Sequence, residues 1–242
     1  MEVHKHSHHV THKKKWGEYL LEFFMLFLAV TLGFFAENVR EQRGNREIEK
    51  RNMEIIIDNL KGDTTQLSYI IKGNIVRSVT IDSLVVQKQY EMSDTNVLKR
   101  VINFYVNIIT HYIFHSNDAA LEQMKSSGSL RLVKSKRVLD SLFNYSHSNW
   151  LLNYYGEYYT NNSSNLYAVA AKLFDFVPLH GQQLSVPINL KQKEDIIGEF
   201  YNAAWAIRYQ IQVYYLKLLQ EQRVHASNLI ELLKQEYNLK DE

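Results

Sequence analysis

His4, His6, His8, His9 and His12 place half of the chain's ten histidines within its first twelve residues. Imidazoles on a pliant chain can converge on Zn²⁺, Ni²⁺ or Cu²⁺, which makes this stretch a candidate metal-binding tail. Ordering such a tail costs chain entropy, and the competing reading is a solvated segment. A second pair, His111 and His115 in HYIFH, has the four-residue spacing that puts two imidazoles on one helical face. Zinc hydrolases add a Glu beside the first histidine; Tyr112 stands there, so the general base is missing. Asp118 or Glu122 would complete a metal site only if the chain folded back at Ser116-Asn117. Surface or helix-end histidines account for the pair more simply.

Lys125-Ser126-Ser127-Gly128 has the flavour of a phosphate loop or a serine nucleophile. The Gly-x-x-x-x-Gly-Lys frame and a preceding strand are both absent, and no histidine is fixed as a base by spacing. A helix stop explains the block better. Gly128 supplies the left-handed turn, and Leu130 and Leu132 lead the chain back to a core. In WLLNYYGEYYTNNSSNLY (150–167), Trp150, Tyr154 and Tyr158 repeat every four residues beside Leu151, Tyr155 and Tyr159. Such rings could line a groove for a glycan or peptide, although core and interface packing is their commoner use. Asp58, Asp63, Asp82 and Asp140 lie among amphipathic segments with no pairing that spacing fixes, and are expected to be solvated or salt-bridged. No catalytic motif emerges, and no cofactor is implied. The absence of cysteine excludes disulfides and thiolate zinc sites.

The elements that must position these residues begin with YLLEFFMLFLAVTLGFFA (19–36), whose only charge is Glu22. Eighteen helical residues reach about 27 Å, close to the hydrocarbon thickness of a bilayer. Glu22 sits about one turn inside the entry end, where it can snorkel or stay protonated, and Trp16 and Tyr19 fit an interfacial belt. The expected organisation is a His/Lys-rich tail (1–18), a transmembrane helix (19–36) and a helical domain (37–242). A cleaved signal ending near Gly33 and a buried core helix are the alternatives. Lys and Arg within fifteen residues number four before the span and five after it. A short tail carrying Lys13-Lys14-Lys15 resists translocation more than a large domain does. That favours a single-pass membrane protein with its tail inside and its helical domain outside.

Beyond the span, only Pro178 and Pro187 interrupt long breaker-poor tracts, which predicts an all-α protein. The spacing predicts a stalk with apolar Ile48, Met53, Ile56 and Leu60, continuing through Leu67, Ile70, Ile71, Ile75, Val79 and Leu84, with Gly73-Asn74 a candidate kink. It then predicts a break at Met92-Ser93-Asp94, a helix from Thr95 to about Tyr112, a short helix from Asp118 to Ser127, and helix from Lys134 to Phe176. Residues 177–190 read as the main loop. A last helix runs from near Leu190 to Tyr237, with a heptad-like seam at Ile197, Phe200, Ala204, Ile207, Ile211, Tyr214 and Leu218, resuming at Leu229, Leu232, Leu233 and Tyr237. The expected architecture is one transmembrane helix continuing into an elongated antiparallel helical bundle. With 28 basic against 26 acidic side chains, no footprint for nucleic acid stands out. The expected partners are the lipid bilayer and other proteins or a second copy of the chain.

Two blocks resemble a known family. EFFMLFLAVTLGFFAENVREQ (22–42), followed by a charged stalk and IIIDNLKGDTTQL (55–67), resembles the N-terminal signature of single-span membrane proteins widespread in Bacteroidota. ALEQMKSSGSLRLVKSKRVLDSLFNY (120–145) is similar to that family's central Ser-Gly block before a tyrosine-ending helix. The resemblance implies an anchored helical domain. The family has no established biochemical activity, so no site residue carries over. The functional expectation is a non-enzymatic interaction, scaffold or sensory module. The alternative is a ligand- or metal-binding protein that uses the aromatic groove or the histidines.

Overall fold

The structure, a computed structural model, describes residues 15–87, 94–174 and 195–240. Helix α1 spans Trp16–Gln87, α2 Thr95–Ile108, α3 Ala119–Ser127, α4 Lys136–Leu173, α5 Asp195–Gln210 and α6 Leu216–Tyr237. A 3-10 turn, Ser129–Leu132, follows α3, and a π-helical turn, Ile211–Tyr215, joins α5 directly to α6. The protein is all-α, with no strand among the described residues. The tail histidines His4, His6, His8, His9 and His12, the loop 177–190 and the start of the last helix near Leu190 lie outside those residues.

The chain divides into two units, Met1–Glu49 and Lys50–Glu242. In the first, α1 carries an 18-residue window of mean hydropathy 2.0, none of it buried. One helix is therefore long and apolar enough to cross a membrane. Glu22 lies within it, on the first turns of α1.

The second unit is a helical bundle whose chain direction follows from three clusters. At one end, Met53 and Leu60 of α1 pack with Leu121 of α3, Leu142 of α4 and Leu233 of α6. In the middle, Leu67 meets Phe114, Leu152, Tyr215 and Leu219. At the other end, Ile81 and Leu84 meet Val101 of α2, Leu166 of α4 and Phe200 of α5. So α1 and α4 run one way, whereas α2 through α3, and α5 through α6, run back. This is the up-down-up-down order that short connections favour.

Buried positions on α1 recur at three and four residues: Met53, Ile56, Leu60, Asp63, Leu67, Ile70, Asn74, Arg77, Ile81 and Leu84. This phase differs from the expected one at three places. It carries polar Asn74, Arg77 and Ser78 inward and leaves Ile48, Ile75 and Val79 exposed. Helix α1 continues through Gly73-Asn74 without a break. The last helix also departs from expectation. The π turn inserts one residue into the seam, so Tyr215 and Leu219, not Tyr214 and Leu218, follow Ile211 into the core. Tyr214 is 45% exposed, against 2% for Tyr215.

Local signals set the ends. Asp94 caps α2, accepting from the Asn96 and Val97 N–H groups at 2.7 and 3.3 Å. Gly128 closes α3 at φ 71°, where only a residue without Cβ is unstrained. Gly128→Val is expected to cost about 1–2 kcal/mol, a fall of several degrees in the melting temperature of the detergent-solubilised chain. An unchanged melting temperature would count against this role.

Candidate functional site

Among the described residues of the bundle, 109–118, between α2 and α3, form the longest stretch outside a helix. Helix α2 stops at Ile108, four residues before the expected end at Tyr112. His111 and His115 therefore sit on a non-helical strap and do not share a helical face. Both are exposed, while Phe114 is buried among Leu67, Leu152 and Tyr215. Although the residue as a whole is exposed, partial desolvation of its ring, and then the charge of Arg77, lowers the His111 pKa. Among the described residues, no three His, Cys, Asp or Glu side chains gather where they could hold a metal ion.

A backbone that leaves a helix inside a bundle must find partners for its polar groups. Side chains of α1 and of the π turn supply them. The Asn74 amide donates to the Tyr112 carbonyl at 2.9 Å and to Ile70 O at 3.1 Å. The Phe114 N–H donates to the Tyr215 hydroxyl oxygen at 3.1 Å. The Asn117 N–H donates to Asp63 Oδ1 at 2.9 Å, and the Asn117 side chain donates to Asn59 Oδ1 at 3.1 Å. Two glycines let the strap approach. A Cβ on Gly73 would overlap the Tyr112 ring, and one on Gly156 would lie 3.0 Å from Ile113 Cγ2. The π turn is what aims Tyr215 here. Tyr215 also stacks on Tyr159, with centroids 5.7 Å apart, and burial pushes its pKa up to about 12.

Asp63 is the strongest correction to the sequence reading, which left it solvated or salt-bridged. It is 2% exposed and has no cationic partner among the described residues. The Tyr145 hydroxyl donates to Asp63 Oδ2 at 2.6 Å, alongside the Asn117 N–H on Oδ1. Burial raises the carboxyl pKa, the two hydrogen bonds pull it down, and nearby Asp118 adds to the rise. Asp58 and Asp82 do follow expectation. Asp58 faces Lys61 at 3.4 Å, and Asp82 takes a two-pronged contact from Arg208, whose guanidinium also lies 4.5 Å from the Trp205 ring centre.

Arg77 is 1% exposed, and no carboxylate meets it among the described residues. Nη2 donates to Ser163 Oγ at 3.1 Å, and the guanidinium lies 4.5 Å from the centre of the Tyr159 ring. Nε and Nη1 have no partner among the described residues. Burial lowers this group to about 9, with only Tyr112 acting the other way. The Tyr159 hydroxyl donates to Asn74 Oδ1 at 3.3 Å, so Arg77, Tyr159, Asn74 and the strap form one connected polar layer. Neither Asp63 nor Arg77 stood out by residue type. The readable signal was their place on the three-four repeat of buried α1 positions.

The remaining candidates are surface features. Lys125 pairs with Glu122 at 2.6 Å, and the Ser127 and Ser129 hydroxyls bond to each other at 2.9 Å beside the Gly128 turn. Trp150, Tyr154 and Tyr158 are all more than half exposed. Trp150 stacks between His147 and Tyr154, with centroids 5.9 and 6.1 Å away. Tyr155 of α4 stacks on Tyr214 of the π turn. Among the described residues, the arrangement holds a strap in place and displays rings on the surface. The chain matches no protein-family model, no curated protein and no solved structure.

Proposed function

We propose that this chain is a non-enzymatic, membrane-anchored interaction, scaffold or sensory module, tethered by residues 19–36 and working through its helical bundle. The observation that carries the reading is the apolar window of α1, which is unburied throughout. A soluble core helix would hide Phe23, Phe24, Leu26 and Phe27; each is at least half exposed. Side chains of that size left in water favour insertion into lipid or association. The likeness to the Bacteroidota single-span family, the lysine-rich tail and the large following domain support a bacterial inner membrane with the bundle in the periplasm. Carbonate washing of membranes that carry the full chain tests the anchor: retention in the pellet supports it, and release overturns it. Fusions after Glu242 test the orientation. Alkaline phosphatase activity supports a periplasmic bundle, and green fluorescence without it overturns that placement.

A second reading, a ligand-binding protein, is favoured by the exposed Trp150 and Tyr154 stack. It requires saturable quenching of Trp150 emission by an added oligosaccharide or peptide. Quenching that persists in the W150F chain would remove Trp150 from the site.

A further inference from the structure

Between α4 and α6 lies an open cleft of about 400 Å³, within the size range of small-molecule sites. Its walls carry Arg137 and Asn144 from α4 and His225 and Asn228 from α6, above an apolar floor that includes Leu229 and Leu232. Among the described residues, no acidic side chain lines it. None of those four polar side chains has a hydrogen-bond or ion-pair partner among the described residues. They therefore stand as a set of uncommitted donors facing one space.

A second observation points the same way. Arg137 sits in the first turn of α4, where the helix dipole already places positive potential and an acid is the favoured residue. That turn holds Lys136 and Arg137 and no acid, and the next carboxylate along the helix, Asp140, does not line the cleft. An unpaired guanidinium at a positive helix end is a poor choice for stability and a good one for holding an anion.

We propose that the α4–α6 cleft binds a small oxyanion, a phosphate or a phosphate-bearing molecule. Arg137 is the principal charge partner, Asn144 and Asn228 are amide donors, and His225 donates from its ring N–H. The leucine floor accepts an apolar portion of the ligand. A soluble phosphate and a lipid headgroup share this chemistry, and the test separates them.

The test is equilibrium dialysis of radiolabelled inorganic phosphate against the full chain in maltoside micelles, at fixed pH and ionic strength. The expected result is saturable retention of about one phosphate per chain. R137Q should weaken it by roughly tenfold or more, and H225Q by less, because the charged bidentate partner dominates. K136Q, a neighbouring change of equal charge outside the lining, should leave retention within about twofold of the parent, as expected if net charge alone is not the determinant. Adding phosphatidylglycerol to the micelles, with phosphatidylcholine as control, decides the source. Displacement by the anionic lipid alone assigns a headgroup, and no displacement by either assigns a soluble anion. Retention that never saturates, or equal losses in R137Q and K136Q, would overturn the proposal, as would no retention at all.

Discussion

Asp63→Ala should lower the stability of the bundle by about 2–4 kcal/mol, the largest loss expected from a single polar side chain here. The change removes two acceptors at once. The Tyr145 hydroxyl at 2.6 Å would lose its acceptor in a buried site, and the Asn117 N–H at 2.9 Å would lose its partner at the edge of the bundle. The small cavity left behind adds to the cost. Asp63→Asn should behave differently, because its amide oxygen keeps the Asn117 N–H and its NH₂ can donate to the Tyr145 oxygen. Its stability at pH 7 should lie within about 1 kcal/mol of the parent.

The two variants also differ from the parent in pH dependence. The Asp63 pKa is raised in the folded chain above its ordinary 3.8, so between those values the folded state holds a proton that the unfolded state has released. The stability gained from protonation is therefore complete below 3.8 and is lost as pH rises through the folded value. Urea midpoints of the parent should fall across that window, and those of D63N should lack this component. A parent and a D63N chain with identical acid profiles would remove Asp63 from the interior network.

Arg77→Met should raise stability by about 1–3 kcal/mol, read as a higher urea midpoint at unchanged slope. Taking a guanidinium out of water costs several kcal/mol, and the returns here are incomplete. One hydrogen bond reaches Ser163 and one ring face lies beneath the charge, while Nε and Nη1 stay unpaired among the described residues. Methionine fills similar volume without a charge. Ser163 keeps its own bond to the Tyr159 carbonyl at 3.1 Å, so its removal orphans little. Because burial disfavours the charged guanidinium in the folded chain, the benefit should be largest where that charge is fully held and should shrink as pH rises into the alkaline range. A loss of 2 kcal/mol or so in R77M would instead mean that the charge has a strong counter-charge in the native protein. If the gain appears, Arg77 is held at the expense of stability, as a buried polar group that fixes the register of α1 against α4 would be.

How far the sequence carried the fold can be judged residue by residue. The long apolar helix near the N-terminus, the helical tracts and the antiparallel return of the last helix were legible, because each rests on a run of similar side chains over many turns. The Gly128 stop was legible for the opposite reason, since one residue without a Cβ marks it. The strap was not. HYIFH contains no breaker, and helix is excluded there only by distant groups: Asn74, Asp63 and Tyr215 each offer a bond to its backbone. The π turn was hidden by composition, because Tyr214 and Tyr215 are identical and either could occupy the seam. The cleft between α4 and α6 joins Arg137 to His225, residues 88 positions apart by number, and no local spacing relates them.

The central claim is that residues 19–36 lie in lipid, and the cysteine-free chain makes a direct measurement available. F27C and E41C variants of the full chain would be reconstituted in vesicles and exposed to a membrane-impermeant maleimide. The F27C thiol should react at least about tenfold more slowly than the E41C thiol, with the difference vanishing in a denaturing detergent. Equal rates in intact vesicles would contradict the claim.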